Sequence, residues 1–427
     1  MTDDPGIQAR HAAGLLLNAA LERRNGLDEA LSKPPVSSLE PQDRAFARAV
    51  AMAALRRLGE IDAILDARLK RSPPPAVRTL MRTALAQTLT LKTPAFAAVS
   101  SAVKLAERDP ATRPYKALIN AVLRGIDRDG TGPTDPVANF PDWLTARWRQ
   151  TYGEAALQAM ARAASLEPPT DLSLKPDTDA EVLAEALEAR VLGPDTLRTD
   201  RRGDLRDWTG FEDGIWWVQD AAAAVPARFL EVRPDHAVLD LCAAPGGKTL
   251  QLAATGATVT ALDRSDKRLD RLRDNLKRMG LSAEVIASPA EDWTDPRQFD
   301  RVLLDAPCSA TGTFRRNPEA LRATRPADIG NLADVQHRLL DAAAARVAPG
   351  GRLVYCTCSL EREEGETQVT AFLRRNEAFR TVPADPAAVG APVEALTSEG
   401  WLRILPGQWA DRGGLDGFFI AALERVD

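Results

Sequence analysis

Two cysteines at the ends of apolar runs are the residues best placed to do chemistry. One lies in Leu303-Leu-Asp-Ala-Pro-Cys-Ser309 and the other in Leu353-Val-Tyr-Cys-Thr-Cys-Ser359. Both runs have the composition of buried parallel strands, and the carboxyl ends of such strands meet at the edge of the sheet where the active sites of open α/β proteins lie. Two thiols at one such edge suggest a reaction in which one thiol attacks and the other helps to release the product.

A glycine-rich turn indicates a nucleoside-containing cofactor. The run Leu239-Asp-Leu-Cys-Ala-Ala-Pro-Gly-Gly-Lys-Thr249 predicts a strand, a turn and the start of a helix, which brings backbone amides close to a ligand. A phosphate loop would need glycine where Cys242 stands. Asp263, at the end of the next strand, is placed to accept hydrogen bonds from ribose hydroxyls. A nicotinamide dinucleotide and S-adenosylmethionine both fit, but Gly246-Gly247 does not match G-x-G-x-x-G, which argues against the dinucleotide.

These motifs fall in a region where strands and helices alternate, as in a doubly wound sheet. Earlier in the chain, residues 7–128 carry Ala, Leu and Arg at helical spacing, which predicts five to seven short helices. The turn-rich segment 129–136 has the composition of a linker. The predicted strands are Ala237–Cys242, Thr258–Asp263, Ala283–Ser288, Phe299–Ala306 and Arg352–Cys358, with a closing hairpin strand at Gly417–Leu423.

The predicted fold class is therefore multidomain, with three parts. Residues 1–130 form an all-α domain, residues 137–215 a linker and small α+β subdomain, and residues 216–427 an α/β Rossmann-like domain. Within the middle part we expect a helix at Asp142–Ala164 and a strand at Thr170–Leu174.

Composition and charge narrow the classes of function. The 427 residues are 44% hydrophobic and 27% charged, and no apolar run is long enough to span a membrane. The first residues lack a signal-peptide pattern, so we expect a cytoplasmic protein whose four cysteines stay as thiols. Residues 1–129 hold 20 Lys and Arg against 14 Asp and Glu, a net charge of +6 in a chain of net charge −5. This basic end is a candidate nucleic-acid surface or an ordinary solvated helix face.

Three motifs together resemble the RNA cytosine-5 methyltransferases of the NOL1/NOP2/Sun family. They are Asp240-Leu-Cys-Ala-Ala-Pro-Gly-Gly-Lys248, Asp305-Ala-Pro-Cys-Ser-Ala-Thr-Gly312 and Tyr355-Cys-Thr-Cys-Ser359, in the family's order. The N-terminal part resembles the NusB-like RNA-binding domain through Lys116-Ala-Leu-Ile-Asn-Ala-Val-Leu-Arg124. The resemblance implies an all-α NusB-like domain joined to a class I methyltransferase domain, with S-adenosylmethionine as cofactor and small-subunit (16S) ribosomal RNA as substrate.

The resemblance also implies residue roles. Cys358 attacks carbon 6 of cytosine, Asp305 stabilises the ring as a protonated carboxyl, and Cys308 assists release after methyl transfer to carbon 5. The base must leave any stacked helix to reach the pocket. The residues expected to contact the cofactor are Cys242, Ala243, Ala244, Pro245, Gly246, Gly247, Lys248, Asp263 and Asp305.

Several alternatives stay open on the sequence. Cys356 should point to the same face as Cys358, either as packing or as the attacking thiol. The segment Phe314-Arg-Arg-Asn-Pro318 could hold the RNA backbone or stack beside the target, or be a solvated loop. Where the family has an acidic residue after the third strand, this chain has Ser288-Pro-Ala290, and Glu291 or Asp292 could substitute.

Three classes of function remain on the sequence. The leading one is a ribosomal RNA methyltransferase that acts as a monomer, without metal or membrane, since Cys-x-Cys with three histidines does not make a zinc site. The second is an RNA-binding ribosome-assembly factor with a degenerate methyltransferase module. The third is a nicotinamide oxidoreductase, supported only by the sheet and Asp263.

Overall fold

The computed structural model describes residues 5–22, 26–193 and 195–426. These residues group into two compact units. The first holds the described residues up to 167 together with 314–324, and the second holds 168–313 and 325–426. The segment predicted as a separate middle part, 137–215, is thus shared between the two units. In the described stretches no helix combines the length and apolar character that crossing a lipid bilayer requires.

The first unit is helical. Its described residues form seven α-helices before residue 130, within the predicted range of five to seven. Buried side chains such as Leu16, Val50, Ile61 and Met81 make a single apolar core between them. Prolines begin α3 and α5, where a missing N–H costs no helical hydrogen bond. The helices are α1 Pro5–Glu22, α2 Gly26–Leu31, α3 Pro41–Arg56, α4 Leu58–Asp66, α5 Pro75–Leu89, α6 Ala95–Arg108 and α7 Lys116–Asp129.

A further helix, α8 (Asp142–Ser165), also belongs to the first unit. The side chain of Asn139, just before it, accepts from the backbone N–H of Glu60 at 3.0 Å and donates to the Glu60 carboxylate at 2.8 Å. Trp148 of α8 packs on the ring of Phe140, with centroids 5.1 Å apart. These contacts explain why residues 137–167 group with the helical unit.

The segment 314–324 packs within the same unit. The ring of Phe314 lies 5.1 Å from that of Phe140 and 5.7 Å from that of Trp148. Phe314 and Arg315 are each only 1% exposed. The side chains of Phe314 and Arg315 are therefore too buried to stack on the target base or to hold the RNA backbone. Arg316 is half-buried and Asn317 is exposed, so the RNA-binding role of the segment 314–318 stays a prediction.

The second unit begins with a small antiparallel sheet of four strands in the order β2-β3-β1-β4. Its centre is a fully buried ion pair in which the Arg198 guanidinium makes two hydrogen bonds, of 2.6 and 2.7 Å, to the carboxylate of Asp171. The strands are β1 Thr170–Leu174, β2 Ala189–Gly193, β3 Thr196–Thr199 and β4 Trp216–Val218, with the helix α9 Ala180–Ala186.

The larger sheet of the second unit carries the predicted motifs. Its order is β10-β12-β9-β8-β5-β6-β7, with β11 paired to β12. The strands β9, β8, β5, β6 and β7 are parallel, and β12 closes the sheet antiparallel to β9. The strands are β5 Ala237–Leu241, β6 Thr258–Asp263, β7 Glu284–Ala287, β8 Phe299–Asp305, β9 Val347–Thr357, β10 Phe379–Val382, β11 Leu402–Ile404 and β12 Phe418–Arg425.

Helices complete the second unit, and apolar cores lie on both faces of its large sheet. Leu303 and Val354 pack on one face, while Leu304 and Tyr355 pack on the other. The combination of an all-α domain with a Rossmann-like α/β domain confirms the predicted fold class. The helices are α10 Ala221–Phe229, α11 Gly247–Ala254, α12 Asp266–Met279, α13 Ala320–Ala323 (within the first unit), α14 Pro326–Ala344, α15 Glu366–Arg375 and α16 Pro386–Val389.

Candidate active site

The glycine-rich turn follows β5 and opens α11. Gly246 caps that helix with a left-handed backbone of φ +109°, and an added Cβ would lie 2.4 Å from Cδ1 of Leu272. Only glycine fits there without displacing α12. The turn is tied to β6 because Ala243 donates its N–H to the carbonyl oxygen of Leu262 at 3.0 Å, and Ala244 donates to the Asp263 carboxylate at 3.2 Å. Two backbone N–H groups of the turn are therefore bonded to β6.

Asp240 stands under this turn with a carboxyl oxygen that lacks a partner. Thr249 donates its hydroxyl to one oxygen at 2.6 Å, whereas the other finds no hydrogen bond among the described residues. The side chain is 0% exposed, and burial, assisted by the charge of Asp305, raises its pKa to about 7. Asp240 lines a cavity of about 600 Å³ beside the turn. A buried carboxyl of this kind suits the ammonium of an amino-acid moiety, as S-adenosylmethionine carries.

Some of the predicted cofactor residues line that cavity and others do not. Asp263 lies at the end of β6 as expected, 2% exposed, and accepts hydrogen bonds from Ser265 N at 2.9 Å and Arg268 Nη1 at 3.3 Å. Burial and the charge of Asp263 raise the pKa of the Cys242 thiol, which keeps it protonated. The cavity is lined by Ala243, Pro245, Gly247, Lys248 and Asp305, and not by Cys242, Ala244, Gly246 or Asp263.

Lys248 and Asp305 form an ion pair beside the cavity. The ammonium of Lys248 donates to Oδ2 of Asp305 at 2.7 Å, and the thiol of Cys356 donates to Oδ1 at 3.4 Å. Burial alone would lower the pKa of Lys248, but the charge of Asp305 raises it above its ordinary value. Lys248 also lies 5.3 Å from the ring centre of Phe418. The ion pair therefore keeps a charged hydrogen-bond donor next to the two strand ends.

The thiols of Cys308 and Cys358 touch. Their sulfur atoms are 3.4 Å apart, and both side chains are partly exposed. The hydrogen bond with Cys358, then burial, then the charge of Cys358 raise the pKa of Cys308 well above its usual range. The Cys308 loop is fastened to the Cys358 loop because Gly312 donates its N–H to the carbonyl oxygen of Cys358 at 2.9 Å. Gly312 accepts in turn from Gly417 N at 2.8 Å.

Cys356, which lies two residues before Cys358, is buried inside the protein. It is 0% exposed, and burial followed by the charge of Asp305 raises its pKa well above the usual range. It is part of the apolar core on one face of the sheet. A buried, protonated thiol is a poor nucleophile, so packing is the role that this geometry favours.

Two site residues were not predicted from the sequence. Asp240 interrupts an apolar strand directly before the glycine-rich turn, and that interruption was a signal that could have identified it. Glu364 is fully buried next to the thiols, but it stands among charged residues at 361–366 that have the composition of a solvated turn. Among the described residues, no group of three or more His, Cys, Asp or Glu side chains is arranged to hold a metal ion.

Solved structures share the fold of this protein. The crystal structure of PH0851 superimposes with a TM-score of 0.75 at 25% identity, covering 100% of both chains. NSun6 from Pyrococcus horikoshii, solved with SFG, superimposes with a TM-score of 0.56 at 20% identity, covering 67% of this chain and 99% of its own, and it supports the fold. The glycine-rich turn and the strand-end site lie within residues 227–424, which match the family model described as 16S rRNA methyltransferase RsmB/F, so the class is a class I methyltransferase whose cofactor is S-adenosylmethionine.

Sequence relatives define the family. The family model described as 16S rRNA methyltransferase RsmB/F matches residues 227–424, and the NusB family model matches residues 7–128. Ribosomal RNA small subunit methyltransferase B of Vibrio cholerae is 34% identical over 442 residues, covering 98% of each chain. The chain belongs to the 16S rRNA methyltransferase RsmB/F family and carries an N-terminal NusB domain.

Proposed function

We propose that the protein transfers a methyl group to carbon 5 of a cytosine in 16S ribosomal RNA through a covalent adduct with Cys358. The observation that carries the proposal is the 3.4 Å contact between Cys308 and Cys358, at the sheet edge that also holds Lys248 and Asp305. Carbon 5 is a poor nucleophile until a thiolate adds at carbon 6, and one attacking and one releasing thiol are what that chemistry needs. Bound S-adenosylmethionine supplies the electrophilic methyl group.

Cys358 is the attacking residue in this proposal. Its sulfur is partly exposed, whereas the neighbouring thiol of Cys356 is buried and donates to Asp305. A bond forms between the Cys358 thiolate and carbon 6, and the electron pair of the 5,6 double bond moves toward the ring nitrogen. The ammonium of Lys248, held by Asp305, donates a hydrogen bond to that nitrogen and keeps its own proton, so it stabilises the charge that builds on the ring. In this proposal Lys248 takes the stabilising role that the sequence assigned to Asp305, and Asp305 positions Lys248.

Cys308 acts in release. Once Cys358 is bound to carbon, its charge no longer opposes ionisation of Cys308, so the pKa of Cys308 falls and its proton passes to water. After methyl transfer the Cys308 thiolate takes the proton from carbon 5. The electron pair of that C–H bond restores the 5,6 double bond and expels Cys358 as a thiolate. Cys308 ends as a thiol and Cys358 as a thiolate, ready for another cycle.

RNA affinity comes, in this proposal, from the NusB-like unit. Residues 1–129 carry a net charge of +6, which favours binding to phosphates. The target base leaves its stack to enter the site. The protein acts as a monomer in the cytoplasm.

The test is incubation of the protein with unmodified 16S ribosomal RNA and methyl-labelled S-adenosylmethionine, followed by mapping of the labelled nucleotide. We expect 5-methylcytosine at one position, and none with Cys358→Ala. Label on another atom or another base would contradict the proposal. RNA binding without any methylation would favour the assembly-factor alternative.

A further inference from the structure

A buried glutamate joins the two loops that carry the thiols. Glu364 lies between β9 and α15, and its side chain is 0% exposed. Its carboxylate accepts hydrogen bonds from the backbone N–H of Ser309 at 2.9 Å and from the hydroxyls of Ser309 and Ser359. Ser309 directly follows Cys308, and Ser359 directly follows Cys358. One carboxylate therefore holds the residue next to each thiol.

Glu364 is itself held by the strand and the helix around it. The Tyr355 hydroxyl donates to the carbonyl oxygen of Glu364 at 2.8 Å, and the Thr357 hydroxyl donates to the same oxygen at 3.1 Å. Gln336 of α14 donates to the Glu364 carboxylate at 3.2 Å and to the carbonyl oxygen of Pro307 at 2.9 Å. A buried polar network satisfied to this extent holds its members in one arrangement.

We propose that Glu364 is a positioning residue of the methyl-transfer reaction, which fixes Cys308 and Cys358 so that both reach one cytosine ring. The inference rests on the proposed function of these two thiols. Glu364 acts through Ser309 and Ser359. A carboxylate suits this place because four donors face it and both of its oxygens only accept, whereas an amide would turn an NH₂ group toward some of those donors.

The charge of Glu364 gives the inference a second consequence. After the effects of Cys358 and of burial, the charge of Glu364 also raises the pKa of Cys308. Burial raises the pKa of Glu364 itself, and the hydrogen bonds from the two serines partly offset that effect. The other charged or titratable groups at this network are Tyr355, Cys356, Glu361, and Arg403 with its partner Glu366. The Arg403 guanidinium donates to the carbonyl oxygen of Ser359. Removing the charge should therefore lower the pKa of Cys308.

The experiment compares Glu364→Gln with wild type in single turnovers on 16S ribosomal RNA at saturating S-adenosylmethionine, across pH. We expect the rate of 5-methylcytosine formation to fall by about 100-fold, the loss typical of a displacement near 1 Å. The apparent pKa of the rate profile should fall by roughly one unit or less. Cofactor affinity should stay near wild type, whereas the melting temperature should fall because the amide turns a donor toward other donors, so the rates are compared at a temperature at which both proteins are folded. Glu364→Asp, which keeps the charge, should recover part of the rate. Glu377→Gln removes an exposed carboxylate and is the matched control.

A second pair of variants separates positioning from charge. Ser359→Ala removes the hydrogen bond from that loop to the carboxylate, and Ser309→Ala removes the hydroxyl bond while the backbone N–H of residue 309 still donates. Both variants keep the carboxylate, so both should slow the reaction without moving the pH profile, Ser359→Ala more than Ser309→Ala. Wild-type rates and pH profile in Glu364→Gln would overturn the inference, as would a loss of cofactor affinity that matches the loss of rate. If Glu364→Gln does not fold, unchanged rates in both serine variants overturn it. Failure of the wild-type protein to form 5-methylcytosine would instead defeat the proposed function.

Discussion

Replacement of Asp240 by Asn should change how stability depends on pH. Asp240 is 0% exposed, and its pKa is raised from 3.8 to about 7, chiefly by burial. A carboxyl whose pKa is higher in the folded state favours folding while it is protonated. This contribution to the free energy of unfolding is fully present below the pKa that the carboxyl has in the unfolded chain. It is lost as pH rises through the pKa of the folded state, about 7. At 1.36 kcal/mol per pKa unit, the difference between the folded and unfolded pKa values corresponds to a free energy on the order of 4 kcal/mol.

The amide introduced by Asp240→Asn cannot ionise, so the variant should not lose stability in this window. The amide oxygen can still accept from Thr249, but the NH₂ group replaces a carboxyl oxygen that has no partner, at a constant cost of about 1–3 kcal/mol. We expect the variant to be less stable than wild type near pH 4.5. Between pH 4.5 and pH 8, the difference in unfolding free energy should move in favour of the variant by about 3 kcal/mol.

The assay is urea unfolding of both proteins, followed by tryptophan fluorescence at several pH values. A difference in unfolding free energy that stays constant from pH 4.5 to 8 would refute the reasoning. Cofactor binding gives an independent check, because an ammonium next to Asp240 holds the carboxylate ionised. Wild-type affinity for S-adenosylmethionine should rise about fivefold between pH 6 and 7, before an α-amino group begins to lose its own proton. The affinity of Asp240→Asn for S-adenosylmethionine should stay constant over this pH range.

Two further substitutions test the site. Lys248→Met removes the ammonium that pairs with Asp305 and should lower the single-turnover rate by about 10²- to 10³-fold, whereas Lys267→Met, on an exposed stretch of α12, should not. A rate within threefold of wild type for Lys248→Met would contradict its role. Gly312→Ala would place a Cβ 2.1 Å from the carbonyl oxygen of Gly417, so urea unfolding should show a loss of about 1–3 kcal/mol and turnover should fall. Gly330→Ala, where an added Cβ on α14 meets open space, should leave the free energy of unfolding unchanged or raise it. Equal changes in unfolding free energy for the two glycine variants would contradict the packing explanation.

Local patterns predicted the second unit well because its strands are buried on both faces. The apolar runs before Asp263, Asp305 and Cys358 marked strand ends, and parallel pairing then places them at one edge. The contact between Cys308 and Cys358 follows from that topology. The burial of Cys356 does not follow from the topology, because strand alternation puts Cys356 on the same face as Cys358. Only the packing of the folded chain shows that Cys356 is enclosed.

Long-range packing set the limit of prediction elsewhere. Phe314 follows the Cys308 motif, but its ring packs on Phe140 and Trp148, which are more than 160 residues away in sequence. A segment that is hydrophobic and basic has the same composition whether it binds RNA or packs inside a domain. Glu364 is the reverse case, since a glutamate among charged residues has no local sign of burial.

The most direct measurement of the central claim uses Cys308→Ala with 16S ribosomal RNA and S-adenosylmethionine. Without the releasing thiol, methylated cytosine should stay bound to the enzyme as an adduct that survives a denaturing gel. Digestion and mass spectrometry should then place a methylated cytosine on Cys358. Normal turnover by Cys308→Ala, or an adduct attached to Cys356, would contradict the assignment of one thiol to attack and the other to release.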